Sequence, residues 1–246
     1  MIGRILAIAS LVWLEIRRKK DLYVALVLMG VVLVGAQGLK FYNVDRISRY
    51  LADLGFSLAC AFSAVISAAL TARQFPGEVE SRSLPLLMSK PVSRAEYVLG
   101  KFAGCAFASI VSFLLFFVAL SAAVLLKGGT IDPGAAIQAA AAFSVGLMML
   151  TALTFLLSFW MTTGANLSVT LTVYFMTFLY GKEISERLGF ADILWPHFDL
   201  FDLKTRLVHG WGPAPVDAVF AILAYGMIYT ALLLSLSYGS FRSKTL

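Results

Sequence analysis

The stretch FPGEVESRSLPLLMSKPVSRAEYVLGK, Phe75 to Lys101, decides how the whole chain is read. It is a charged interruption between two long apolar runs. With Arg73 just outside, it gathers the basic residues Arg73, Arg82, Lys90, Arg94 and Lys101 and the acidic residues Glu78, Glu80 and Glu96. Apolar runs of about 18 or more residues on both sides require it to sit at a membrane face. Its chemistry is that of an ordered element rather than a slack tether. Ser83 can cap a short apolar helix through Met88, and Pro85 is tolerated in a first turn whose amides have no helical partner. Lys90-Pro91 stops that helix, because the residue before proline is pushed out of the helical region. Ser93-Arg94-Ala95-Glu96 reads as a capping box, with Val92 and Tyr97 placed to staple it, so the next membrane helix starts at Arg94.

Composition agrees. The chain has 246 residues, 60% of them hydrophobic and 14% charged, which is far from a soluble domain. The two cysteines, Cys60 and Cys105, fall inside apolar runs and read as small packing residues, not as a disulfide framework. The net charge of +6 follows the membrane segments, so no nucleic acid is expected as a partner. Met1 to Ser10 lacks a basic start followed by a full apolar core and cleavage site, so no removable signal is expected.

Working outward from the loop, the apolar runs predict six spans, near Leu22–Leu39, Gly55–Ala72, Phe102–Leu126, Ala135–Trp160, Ala165–Tyr180 and Val216–Tyr238. An 18-residue span rises about 27 Å, and the longer third and fourth must tilt or protrude. The fifth is short and rich in Thr and Ser. Before the first span, residues 1–20 place Ile5, Ala9, Val12, Trp13 and Ile16 at helical spacing and end in Arg17-Arg18-Lys19-Lys20. This reads as an amphipathic helix lying in the interface, the alternative being a cytosolic start to the first span. With both termini cytoplasmic, that side holds twelve Lys or Arg and five acidic residues, about +7, and the other side about −1.

The outer segments are short and partly helical. In Phe41–Asp53, Val44, Ile47, Leu51 and Leu54 form a stripe, with Asp45/Arg49 and Arg49/Asp53 as i,i+4 pairs, which reads as a helix on the outer surface. The outer loop of residues 182–215 carries further pairs at Lys182/Glu186 and Glu183/Arg187. Trp195, Phe198, Phe201 and Trp211 suit an aromatic interfacial belt. His197 and His209, with Asp192, Asp199 and Asp202, fit no standard metal-ligand spacing and read as solvated loop residues.

The chain has no G-x-x-x-x-G-K-[ST] phosphate loop and no H-E-x-x-H. Asp, Glu, Lys and Arg are missing from the middle of every expected span, which argues against a proton relay, an ion-coupled carrier or an intramembrane enzyme. Ser168, Thr170, Thr172, Tyr174 and Thr177 in the fifth span read either as the lining of a substrate path or as interhelical hydrogen bonding.

The interfacial helix, the six spans and the run from Glu78 to Arg94 leading into Tyr97-Val98-Leu99-Gly100-Lys101 resemble ABC-2 type transporter permeases. The subgroup it looks most like is that of the permease for maturation of nitrous-oxide reductase, a multi-copper enzyme. The resemblance implies an all-α, type V exporter-like fold in one permease domain, 1–246, in a prokaryotic inner membrane with both termini cytoplasmic. It implies a permease homodimer, or a pair with a related permease, in contact with membrane lipid and with two copies of a separate ATPase that holds the ATP and Mg. No cofactor is expected in this chain. In such permeases the first cytoplasmic loop, here 73–101, carries a helix that docks on the ATPase. By position Glu78, Glu80, Arg82, Ser83, Leu84, Leu87, Met88, Pro91 and Arg94 would do so here. Ser83 and Pro85 depart from the Thr and polar residue more usual there. A membrane anchor or assembly factor that recruits a soluble partner is the alternative from another class.

Overall fold

The computed structural model describes residues 2–18, 27, 30–31, 44–81, 93–126, 128–188 and 195–243, and every element among them is helical. The helices are α1 (Ile2–Arg18), α2 (Val44–Ala72), α3 (Gln74–Glu80), α4 (Arg94–Leu126), α5 (Pro133–Ser158), α6 (Thr163–Leu188), α7 (Lys204–His209) and α8 (Val216–Ser243), with a 3₁₀ turn at Asp199–Phe201 before α7. Among the described residues, Ala52–Glu80, Arg94–Leu126, Pro133–Ser158 and Val216–Ser243 are long and apolar enough to cross a membrane. They contain the second, third and sixth expected spans and all of the fourth except Phe159 and Trp160, which lie past the end of its helix. The fifth lies in α6, which is kinked at Tyr180, where φ −127° and ψ 22° leave the helical region. The part before the kink, residues 163–179, rises about 26 Å. Its Asn, Ser and Thr content sets it apart from the other four. The first expected span lies almost wholly outside the described residues.

The expected outer helix and the second span are one helix. α2 runs unbroken from Val44 to Ala72, because nothing between Asp53 and Gly55 breaks the helical ladder. Gly55 is tolerated in mid-helix since it lets α4 approach: a Cβ there would lie 2.5 Å from Leu120 Cδ1. At the other end α2 stops at Ala72, as expected, and the chain turns at Arg73 into α3. Phe75 is buried and Pro76 falls in the first turn of α3, where proline costs no hydrogen bond. Asp132 caps α5, its Oδ1 accepting from the amides of Gly134 at 2.8 Å and Ala135 at 3.3 Å.

The core lies between α2, α4 and α5, with Phe56, Phe113, Phe117, Leu120, Phe143 and Leu147 at its centre. α1 packs on the outside of α4 through Ile8, Val12 and Ile16, while Leu6, Leu11 and Leu14 remain exposed on its other face. The expected stripe is therefore the docked one. The aromatic belt is corrected in part: Trp211 is exposed, but Phe198 and Phe201 are buried in the core. Phe201 fits against Gly146 of α5 and Gly226 of α8, so the segment before α7 is drawn into the bundle instead of resting on it. For the same reason His197 is partly buried rather than solvated, its backbone N–H donating to Tyr225 OH at 3.2 Å.

Candidate functional site

The charged loop is bracketed by two ordered anchors, α3 on one side and the start of α4 on the other. The capping box forms as its spacing requires. The Ser93 amide donates to Glu96 Oε2 at 2.9 Å, and the Glu96 amide donates to Ser93 Oγ at 3.2 Å. Arg4 of α1 reaches the same carboxylate, Nη1 to Oε2 at 3.7 Å. Ser93→Ala removes one of the two reciprocal bonds and is expected to cost about 1 kcal/mol, read as a lowered unfolding temperature in detergent. An unchanged midpoint would mean that the box contributes nothing to stability.

Arg94 turns across to the last helix. Its Nη1 donates to the carbonyls of Phe241 at 3.3 Å and Arg242 at 2.7 Å, and the guanidinium lies 5.7 Å from the centre of the Phe241 ring. These carbonyls belong to the C-terminal turn of α8, which lacks helical donors of its own. Tyr97 stacks on Phe241 at 5.1 Å and donates its hydroxyl to Glu78 Oε2 at 2.5 Å. Glu78 also pairs with Lys101, and Lys101 Nζ donates to Gln74 Oε1 at 3.1 Å. Beneath this polar layer Phe75 packs on Phe159 at 4.6 Å and on Phe241 at 6.0 Å. The ends of α3, α4, α5 and α8 therefore meet in one knot at the loop face.

Of the residues expected to touch an ATPase, Glu78 and Arg94 are drawn into this knot. Glu80 is exposed, with Val79 and Ser81 exposed on either side of it. Arg82, Ser83, Leu84, Leu87, Met88 and Pro91 lie outside the described residues. Glu78 turns inward because the short helix begins at Gln74, which sets Gln74 and Glu78 one turn apart on the face toward α4.

The five polar residues of α6 separate by face. Thr170, Tyr174 and Thr177 are buried; Ser168 and Thr172 are exposed. Thr170 Oγ1 donates to Asn166 Oδ1 at 3.1 Å, and Asn166 Nδ2 donates to the Thr154 carbonyl of α5 at 3.0 Å. Thr177 Oγ1 accepts from Trp195 Nε1 at 3.0 Å. On the neighbouring pair of helices, the hydroxyls of Ser67 on α2 and Thr151 on α5 share a bond of 2.9 Å. The buried face of α6 thus serves interhelical bonding, and Ser168 and Thr172 form a separate polar stripe.

Sequence reading missed Asn166 among these contacts and missed Gly100 and Gly104, which face α1 across its seam with α4. Asn166 was marked only by being an amide in an apolar run. Gly100 and Gly104 form a G-x-x-x-G pair on α4, a spacing that signals close helix contact. Among the described residues no three His, Cys, Asp or Glu side chains converge as a metal site. His197 Nδ1 lies 3.8 Å from Asp199 Oδ1, and His209 stacks on Trp211 at 5.2 Å.

Residues 6–245 match a family described as ABC-2 family transporter protein. The chain belongs to the ABC-2 transporter family. Comparison with curated proteins gives no match. As an ABC-2 chain it is a multi-pass membrane permease component of a transporter and is not itself catalytic. Chains of the ABC-2 family typically pair with an ABC ATPase.

Proposed function

We propose that the chain is the membrane-spanning subunit of an ATP-driven exporter, with six spans and cytoplasmic termini, coupled through residues 75–101 to a separate ATPase. Two copies, or this chain and a related permease, would enclose the path above two ATPase subunits. The observation that carries this reading is the pair of anchors around the loop. A loop that only sets topology has no need of a reciprocal capping box, a guanidinium on the last helix and an ion pair between its two ends. A loop that takes mechanical load from below does. Exposed Glu80 at the rim supplies a charge for the partner, and the Ser168–Thr172 stripe supplies a polar lining for the path.

Coexpression with an ABC ATPase encoded beside the permease, followed by copurification, tests it. Glu80→Lys combined with Arg82→Glu should weaken that association by at least 30-fold, about 2 kcal/mol, by placing like charges in contact. Undiminished association and ATP-driven transport would overturn the coupling role. Thr172→Trp should stop transport while leaving association intact, whereas in a membrane anchor it would be silent.

A further inference from the structure

We infer that Lys101 is a positioning residue for energy coupling: its buried ammonium fastens α3 to α4 so that the two ends of the charged loop move as one piece. The inference rests on the coupling role proposed above. Gln74 and Glu78 stand one turn apart on α3, and Tyr97 and Lys101 stand one turn apart on α4, so two facing pairs form a ladder between the helices. Lys101 pairs with Glu78 and donates to Gln74, while Tyr97 donates to Glu78. Gln74 Nε2 donates in turn to the Leu70 carbonyl in the last turns of α2, at 3.3 Å. On the other side Tyr97 stacks on Phe241 of α8. The connections run in series through α2, α3, α4 and α8.

Burial makes this joint stiff. Lys101 is 6% exposed and Tyr97 1%. Apolar surfaces slide past one another at small cost, because their attraction has no direction. A buried ammonium cannot slide off its carboxylate without leaving an uncompensated charge in a low-dielectric site. A buried ion pair adds little net stability over an apolar pair of similar volume, so its distinctive contribution here is geometric. Without it α3 would be held to α4 through the Tyr97 hydroxyl, and to α5 and α8 through the apolar packing of Phe75. A push on the loop would then be absorbed by sliding at those contacts and by bending at Arg73. With it the push reaches α2 and α4 together.

Spin labels at Val79→Cys on α3 and Leu99→Cys on α4, sites 50% and 37% exposed, report the joint in a chain whose Cys60 and Cys105 are replaced by Ala. Distances are read by double electron–electron resonance in nanodiscs, in the permease alone and in its complex with the ATPase, before and after trapping with ATP and vanadate. One narrow distance is expected in all states. Lys101→Met should broaden it and make it depend on nucleotide. The neutral pair Glu78→Gln with Lys101→Met leaves no buried charge, so it keeps the fold, and it should give the same broadened, nucleotide-dependent distribution. A distance that shifts with nucleotide in the chain with Lys101 intact would overturn the inference, as would a narrow, unchanging distance in the neutral pair. Failure of the ATPase to copurify sinks the proposed function and the coupling role with it. A moving joint within an assembled complex sinks the clamp alone.

Discussion

Phe201→Ala is expected to be the most destabilising single truncation at the end of the bundle opposite the charged loop, at about 3–5 kcal/mol. The ring is 1% exposed at the end of the 3₁₀ turn Asp199–Phe201. It rests against two helices at places where neither has a side chain. A Cβ at Gly146 would lie 3.0 Å from Phe201 Cγ, and one at Gly226 would lie 2.8 Å from Cε1 and Cζ. Truncation therefore empties a volume that neither wall can fill by rotating a side chain, and a cavity that cannot collapse carries the upper range of the cost. The loss also frees the segment that holds Trp195 on Thr177 and His197 on Tyr225. Thermal unfolding in detergent should show a fall of several degrees relative to the unsubstituted chain. A midpoint unchanged within a degree would mean that the ring is not a wedge between α5 and α8.

The position of that ring shows where sequence reading stops. An aromatic residue just beyond a span has the same chemistry whether it lies at the membrane interface or turns back into the bundle. The difference is made by Gly146 and Gly226, distant in sequence, and only the fold brings them to one place. Local features were legible for the opposite reason. Ser93 and Glu96 satisfy each other across three residues, so the box needs no tertiary information, and it forms at the bond lengths given above. The docked stripe of α1 was legible through Val12 and Ile16, since 3.6-residue periodicity fixes which positions share a face. It did not indicate what that face covers. The family resemblance assigns Glu78 to the ATPase contact by its position, and no helix is expected there. The helix Gln74–Glu80, which has no side-chain cap and whose Phe75 is buried, turns Glu78 toward Lys101, while the helix expected from Ser83 lies outside the described residues. In α6, Ser and Thr at every second or third position left both a path and interhelical bonding open. Helical rotation divides them: Thr170 and Thr177 bond within the chain, and Ser168 and Thr172 remain exposed.

Gly104→Leu is expected to lift α1 off the bundle. Gly100 and Gly104 stand one turn apart on α4, and α1 crosses them closely enough that a Cβ at Gly100 would lie 2.7 Å from Ile8 Cβ and 3.2 Å from the Ile5 carbonyl. At Gly104 the neighbours are Val12 Cβ at 2.7 Å and the Ala9 carbonyl at 3.0 Å. These are backbone oxygens and β-carbons, which cannot swing aside as the tip of a long side chain can. The whole helix must retreat, and overpacking of this kind costs about 1–3 kcal/mol. In lipid the seam holds through van der Waals contact more than through exclusion of water, so a small separation removes most of its attraction. Retreat also draws Arg4 from Glu96, releasing the start of α4 from its neighbour. Val12, fully buried in this seam, is the reporter. In a chain whose Cys60 and Cys105 are replaced by Ala, Val12→Cys should resist a small methanethiosulfonate reagent in detergent and react readily once Gly104→Leu is added. Equal protection in both would show that α1 is held by something other than the two glycines. Labelling in both would show that the seam is already open. Because α1 and α4 meet directly beside Glu96 and Lys101, an opened seam should also weaken association with the ATPase, and the same preparation tests this by copurification.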